Sequence, residues 1–74
     1  MKVKIENIHG AISYVEAKKI TITEKKINIY VAGDTIDPFR PIYWFELKEN
    51  KMYDMFFGTL KTLWIDGEIV YKNE

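Results

Sequence analysis

The sequence predicts an all-β fold, a small antiparallel meander of about seven or eight short strands closed as a barrel-like roll or a two-sheet sandwich. Three observations predict it. Apolar side chains recur at every second position through most of the chain, the period of half-buried strands. Turn signals divide these runs at hairpin spacing. The 74 residues fit one domain, 1–74, with a thin core, because so short a chain buries only about 60% of its unfolded surface.

The first strand, in "KVKIENI", alternates between charged positions and an inward face formed by Val3, Ile5 and Asn7. His9 and Gly10 then predict a two-residue hairpin loop, since glycine accepts positive φ and histidine tolerates it. This loop pairs Ile5 with Tyr14 and Asn7 with Ile12, which would collect the apolar side chains on one face.

The second hairpin has the clearest alternation in the chain, "ITITEKKINIYV". A four-residue loop, Thr23 to Lys26, sets Ile22 opposite Ile27 and Ile20 opposite Ile29.

The longest loop is predicted from Ala32 to Pro41, "AGDTIDPFRP", where alternation is lost and turn residues gather. It contains the only arginine, Arg40, beside Phe39 and between two prolines. Arginine and aromatic residues are favoured interface anchors, and proline lowers the entropy cost of ordering a loop. Phe39 and Arg40 are therefore candidate partner-binding residues.

The third hairpin is the aromatic stretch "YWFELKENKMYDMFF". A three-residue loop, Lys48 to Asn50, sets Phe45 opposite Tyr53 and Tyr43 opposite Met55. The predicted core side chains from this stretch are Tyr43, Phe45, Tyr53 and Phe57. The opposite face carries Trp44, Glu46, Met52, Asp54 and Phe56, with Asp54 as an edge charge across from Trp44.

A helix over 50–64 is the alternative for this region, with Asn50 as its cap and an apolar stripe at Met52, Phe56 and Leu60. Gly58 and the aromatic run disfavour it.

The last hairpin turns at Asp66 and Gly67, which pairs Trp64 with Ile69 and Leu63 with Val70. Its sequence, "LWIDGEIVYKNE", resembles the closing hairpin of the small β-domain of metal-dependent amidohydrolases, which has a similar "DG-x-x-V-Y" turn. The resemblance implies a hairpin here. It implies no activity, because this chain lacks the barrel and the metal-binding histidines of that family.

No catalytic, cofactor or metal site is predicted, and the protein is interpreted as not an enzyme. His9 is the only histidine and there is no cysteine, so a metal site lacks ligands. Ser13, the only serine, is predicted to pair with Glu6 and has no base within reach. Of the aspartates, Asp34, Asp37 and Asp66 fall in predicted turns, where their carboxylates cap the backbone.

Composition indicates which partners, cellular location and origin to expect. Formal net charge is zero, which disfavours nucleic acid as a partner, and no apolar run approaches the length of a membrane span. We expect a cytoplasmic protein with no membrane association. Ten of the eleven basic residues are lysine and isoleucine occurs eleven times, which suggests an AT-rich genome and a phage or mobile-element accessory protein.

The leading functional hypothesis is a non-enzymatic module that binds a protein partner, itself included as a homo-oligomer, because monomers seldom expose large apolar patches. The proposed partner-binding residues are Trp44, Phe56, Trp64, Phe39 and Arg40.

Two alternatives stay open. One is a single-stranded nucleic-acid-binding barrel, with bases stacked on Trp44, Tyr43 and Tyr53 and the backbone followed by Lys48, Lys51 and Lys61. The other is a nucleotide or metabolite site in a barrel mouth or at a subunit boundary.

Overall fold

A computed structural model describes residues 1–31 and 43–73, and within these ranges the chain forms strands and turns with no helix. The described residues form seven antiparallel strands: β1 Lys2–Asn7, β2 Ile12–Ile22, β3 Lys26–Val31, β4 Tyr43–Lys48, β5 Lys51–Asp54, β6 Gly58–Ile65 and β7 Glu68–Lys72. The predicted all-β meander is confirmed. The helix alternative over 50–64 is wrong, since β5 and β6 occupy that stretch and Gly58 begins β6 with a φ of 90°.

The strands follow one another in chain order, and β1 also pairs with β6. The first six strands therefore form a closed, barrel-like ring of hydrogen bonds. β6 pairs with β5 only at Gly58 and Thr59, and farther along, from Thr62 to Ile65, it pairs with β7. The long strand β2 makes this possible because its first half pairs with β1 and its second half, from Ala17, pairs with β3. Closure leaves fewer open strand edges, which are sites of unwanted sheet pairing.

The core lies inside this ring and is built from every strand of it. The buried apolar residues are Val3, Ile5, Ala17, Ile27, Ile29, Phe45, Met52, Leu60 and Leu63. Phe45 is the only aromatic residue among them. Tyr43 and Phe57 pack against the core from partly buried positions, as predicted, and the Tyr43 hydroxyl lies 3.2 Å from Ser13 Oγ. The interior therefore holds few aromatic side chains.

One predicted register is confirmed, and a second is confirmed in part. β2 and β3 pair Ile22 with Ile27 and Ile20 with Ile29. In the last hairpin Trp64 lies opposite Ile69, although the prediction for Leu63 is wrong, because a bulge in β7 shifts its partner from Val70 to Tyr71.

The first hairpin differs from the prediction by one residue. Its loop has three residues, 8–10, and Gly10 takes the positive φ of 84° that ends a turn of this kind. Ile5 consequently pairs with Ser13 and not with Tyr14. A shift of one residue exchanges the two faces of a strand, so Tyr14 and Ile12 point outward.

The side chain of Asn7 explains the longer loop. Its Oδ1 accepts hydrogen bonds from the amides of His9 at 3.0 Å and Ala11 at 2.9 Å. Its Nδ2 donates to the carbonyl of Phe57 at 2.8 Å, which ties the first loop to the turn between β5 and β6. A nearly buried amide is thus satisfied by both loops, in keeping with the rule for buried polar groups.

The third hairpin is also shifted by one residue. Its loop has two residues, Glu49 and Asn50, both with positive φ (53° and 65°), which is the type I′ geometry that matches strand twist. Glu46 therefore faces Tyr53, and Leu47 faces Met52. The predicted pairs of Phe45 with Tyr53 and of Tyr43 with Met55 are wrong.

This shift exchanges the predicted faces of β5. Met52 and Asp54 are buried, and Tyr53 is an outward residue with 40% of its surface exposed. The expectations that Tyr53 is a core residue and that Asp54 is an edge charge are both wrong.

Bulges at Lys18 in β2 and Lys61 in β6 shift two further registers. The long loop predicted over 32–41 lies outside the described residues.

We expect Asn7→Ala to lower the free energy of unfolding by about 1 to 3 kcal/mol, because it leaves two amides and a carbonyl without their partner. Asn7→Asp keeps the acceptor and should cost less. Asn28→Ala is the matched control, since Asn28 Oδ1 is buried with no partner among the described residues. Urea unfolding of the three variants is the measurement, and equal losses at positions 7 and 28 would contradict the role given to Asn7.

We expect Glu49→Asn combined with Asn50→Gly to raise the free energy of unfolding by about 0.5 to 1 kcal/mol, because both positions hold a left-handed backbone that a glutamate side chain disfavours. The same two residue types placed at Glu24 and Lys25, where φ is not positive, should give no gain. Thermal unfolding compares the two double variants, and a gain at the second site would refute the conformational argument.

Candidate binding surfaces

The structure separates the residues that the sequence grouped as one partner-binding surface. Trp44 lies on β4, Trp64 lies on β6, and Phe56 lies in the turn between β5 and β6. The grooves beside the two tryptophans have no lining residue in common among the described residues. Phe39 and Arg40 lie outside the part of the chain that is described. Two aromatic surfaces must therefore be considered separately.

The first surface, here called the Trp64 face, crosses the outer side of β2, β1, β6 and β7. It consists of Ile12, Tyr14, Lys4, Trp64 and Ile69, and strand pairing places four of these side by side, in the order Tyr14, Lys4, Trp64, Ile69. Tyr14 is 74% exposed, Ile69 56% and Ile12 47%. A largely apolar row of side chains four strands wide thus faces outward.

A groove of about 360 Å³ runs through the middle of the Trp64 face. It is lined by Lys2, Val3, Lys4, Tyr14, Trp64 and Gly67. The Lys4 ammonium lies 4.6 Å from the centroid of the Trp64 ring, a cation–π contact that holds the indole in place. The groove is therefore largely apolar, and Lys2 and Lys4 are its two charged lining residues.

The second surface, here called the Trp44 face, lies on the outer side of β4 and β5. It consists of Trp44, Glu46, Lys48, Tyr53 and Met55, which together with Leu47 line a groove of about 280 Å³. The Lys48 ammonium lies 5.6 Å from the centroid of the Tyr53 ring. A neighbouring cavity of about 270 Å³ is lined by Lys48, Glu49, Lys51, Tyr53 and Thr59. Lys48 and Tyr53 line both cavities, so the two are contiguous.

Phe56 lines none of these grooves and is 84% exposed. Its backbone amide donates to Oδ1 of the buried Asp54 at 3.2 Å. The Asp54 carboxylate thus caps the turn, and the Phe56 ring lies on the exposed side of it.

The sequence prediction missed Tyr14, Ile12 and Ile69 as surface residues. The first two were assigned to the inward face because of the predicted two-residue loop. The order Asn7 to Gly10 contains the missed signal, since asparagine at the first and glycine at the fourth position are typical of a type I turn. Such a turn gives the three-residue loop that sends both side chains outward.

Potential metal-ligating side chains do not cluster in residues 1–31 and 43–73. No group of three or more histidine, cysteine, aspartate or glutamate side chains there is arranged to hold a metal ion. Within residues 1–31 and 43–73 no helix is long and apolar enough to cross a membrane.

Comparison with known proteins provides no evidence on the function of this chain. No family model matches the sequence, and searches of curated proteins and of solved structures give no match.

We expect Tyr14→Ser combined with Ile69→Ser to change the free energy of unfolding by no more than about 0.5 kcal/mol per site in the monomer, because both side chains are exposed. Phe45→Ala, which empties the middle of the core, should cost about 3 to 5 kcal/mol. Urea unfolding at low protein concentration measures both. A loss at Tyr14 and Ile69 approaching that at Phe45 would place the Trp64 face in the core.

Proposed function

We propose that this protein is a small non-enzymatic protein-binding module that acts through the Trp64 face, and that the partner on this face is a second copy of the chain. The observation that carries the proposal is the exposure of Tyr14, Ile69 and Ile12 on one sheet surface. Exposed apolar patches of this kind on small proteins mark interaction sites.

The composition of the face supports a protein partner. Apart from Lys4, whose ammonium lies over the Trp64 ring, its centre is aromatic and aliphatic, and charged side chains of both signs, Lys2, Glu6 and Glu16, lie around it on β1 and β2. An apolar centre with a polar rim is the usual anatomy of a protein interface. Tyrosine and tryptophan are also the residues most often found as binding hot spots.

Strand order supports a second copy. If two faces stack about a two-fold axis along the strands, β2 lies over β7 of the second copy and β1 over its β6. Tyr14 then meets Ile69 of the second copy, and Lys4 meets its Trp64. Lys2 meets Asp66 of the second copy, and none of these pairs opposes like charges. At these positions the face is complementary to itself, through the apolar contact of Tyr14 with Ile69 and the opposite charges of Lys2 and Asp66.

The mass in solution tests the proposal. We expect wild-type protein to be dimeric by sedimentation or light scattering at concentrations up to about 1 mM, where even a weak dimer forms. Tyr14→Ser combined with Ile69→Ser should yield monomer, because it removes the apolar contacts on both sides of the two-fold axis.

Ile22→Ser is the matched control, since Ile22 is 51% exposed but lies on β2 beyond the Trp64 face. It should leave the dimer intact. A wild type that stays monomeric across this range, or a dimer lost equally in the Ile22 variant, would refute self-association through this face.

A further inference from the structure

The Trp44 face has no part in the association described above and carries different chemistry. It combines the rings of Trp44 and Tyr53 with charged side chains of both signs, and two contiguous cavities of about 280 and 270 Å³ lie along it. Tyr53 stands between them and is 40% exposed, and Met55 at one end is 76% exposed. A ring with a cavity on each side is positioned to stack planar groups.

Two lysines at the end of the β4–β5 hairpin provide the second observation. Lys48 and Lys51 lie directly opposite each other as the last pair before the turn. Like charges opposed across a strand pair are destabilising. An anion between the two ammonium groups would relieve the repulsion, and both lysines line the cavity next to Tyr53.

Among the described residues, neither glutamate that lines these cavities forms an ion pair with Lys48 or Lys51. Glu46 has a partner, since its Oε1 lies 3.9 Å from the Lys26 ammonium. Glu49 lies in the turn at the border of the second cavity. Along the two cavities Lys48 and Lys51 therefore accompany Glu46 and Glu49, and Glu46 is paired with Lys26 of β3.

We propose that the Trp44 face binds single-stranded nucleic acid, with a base stacked on the Tyr53 ring, a neighbouring base beside Trp44, and a phosphate between Lys48 and Lys51. An incoming base takes the place of the Lys48 ammonium over the ring, and the displaced ammonium pairs with the phosphate. Stacking rings interleaved with cations are the usual means by which small β-barrels hold single strands without reading their sequence.

Nucleic acid fits this face better than a protein partner does. Lysine is depleted at the centres of protein interfaces, whereas here Lys48 lines both cavities. The Trp64 face also has a central lysine, Lys4, but its ammonium lies over the Trp64 ring, and the exposed aliphatic side chains of Ile12 and Ile69 accompany it. A free nucleotide offers the same base and phosphate as a strand, so the experiment must separate the two.

Fluorescence anisotropy with a labelled single-stranded oligonucleotide of about 12 nucleotides, within the site sizes of small barrels, is the test. Binding should weaken as salt is added. Lys48→Gln combined with Lys51→Gln should lower the slope of log K against log salt by about 0.7 for each phosphate that is no longer neutralised. Tyr53→Leu should weaken binding on the order of 10-fold, while Tyr53→Phe, which keeps the ring, should retain it.

Lys18→Gln combined with Lys72→Gln is the control of equal charge, since both side chains are exposed on strands away from the Trp44 face. Circular dichroism establishes that each variant is folded. Binding that survives in this control and falls in the Lys48 and Lys51 variant supports the site. No binding at low salt, equal losses in the two lysine variants, or a mononucleotide that binds as tightly as the oligonucleotide would overturn the proposal.

Discussion

The pairing of β1 with β6 is the constraint on which the rest of the structure depends. It joins Val3 to Ile65, nearly the full length of the chain apart, and turns a linear meander into a ring. The loop entropy of bringing such distant segments together is offset because Ile5 and Leu63 become fully buried at the same pairing. Asn7 supports the closure at one end, where its side chain binds the backbone of both adjoining loops.

A ring of this size has little interior. Aliphatic side chains fill most of it, and among the described residues Phe45 is the only fully buried aromatic one. Because the interior has little room for further aromatic side chains, others lie on the outer surface, where they are available to other molecules. The thin core and the aromatic surfaces therefore have the same physical origin, the limited volume that six short strands enclose.

The two aromatic surfaces differ in what surrounds their rings. On the Trp64 face, Ile12 and Ile69 accompany the rings, which favours contact with another apolar surface. On the Trp44 face, Lys48 and Lys51 take that place, which favours an anion with planar groups. A protein that self-associates through the Trp64 face and binds nucleic acid on the Trp44 face would present several nucleic-acid-binding sites at once. Linked sites bind more tightly than single ones.

The sequence by itself determined the all-β class, the inward face of β1, the β2–β3 register and the turn at Asp66 and Gly67, because each depends on local alternation or on a strong turn dipeptide. Tertiary structure decided which faces of β2 and β5 point outward. A difference of one residue in loop length exchanges the inward and outward faces of the strand that follows. The first loop length was set by the hydrogen bonds of Asn7, and the other by the strand twist that Glu49 and Asn50 accommodate. Tertiary structure also placed the bulges at Lys18, Lys61 and Val70, because ring closure requires local changes of register that alternation alone does not specify.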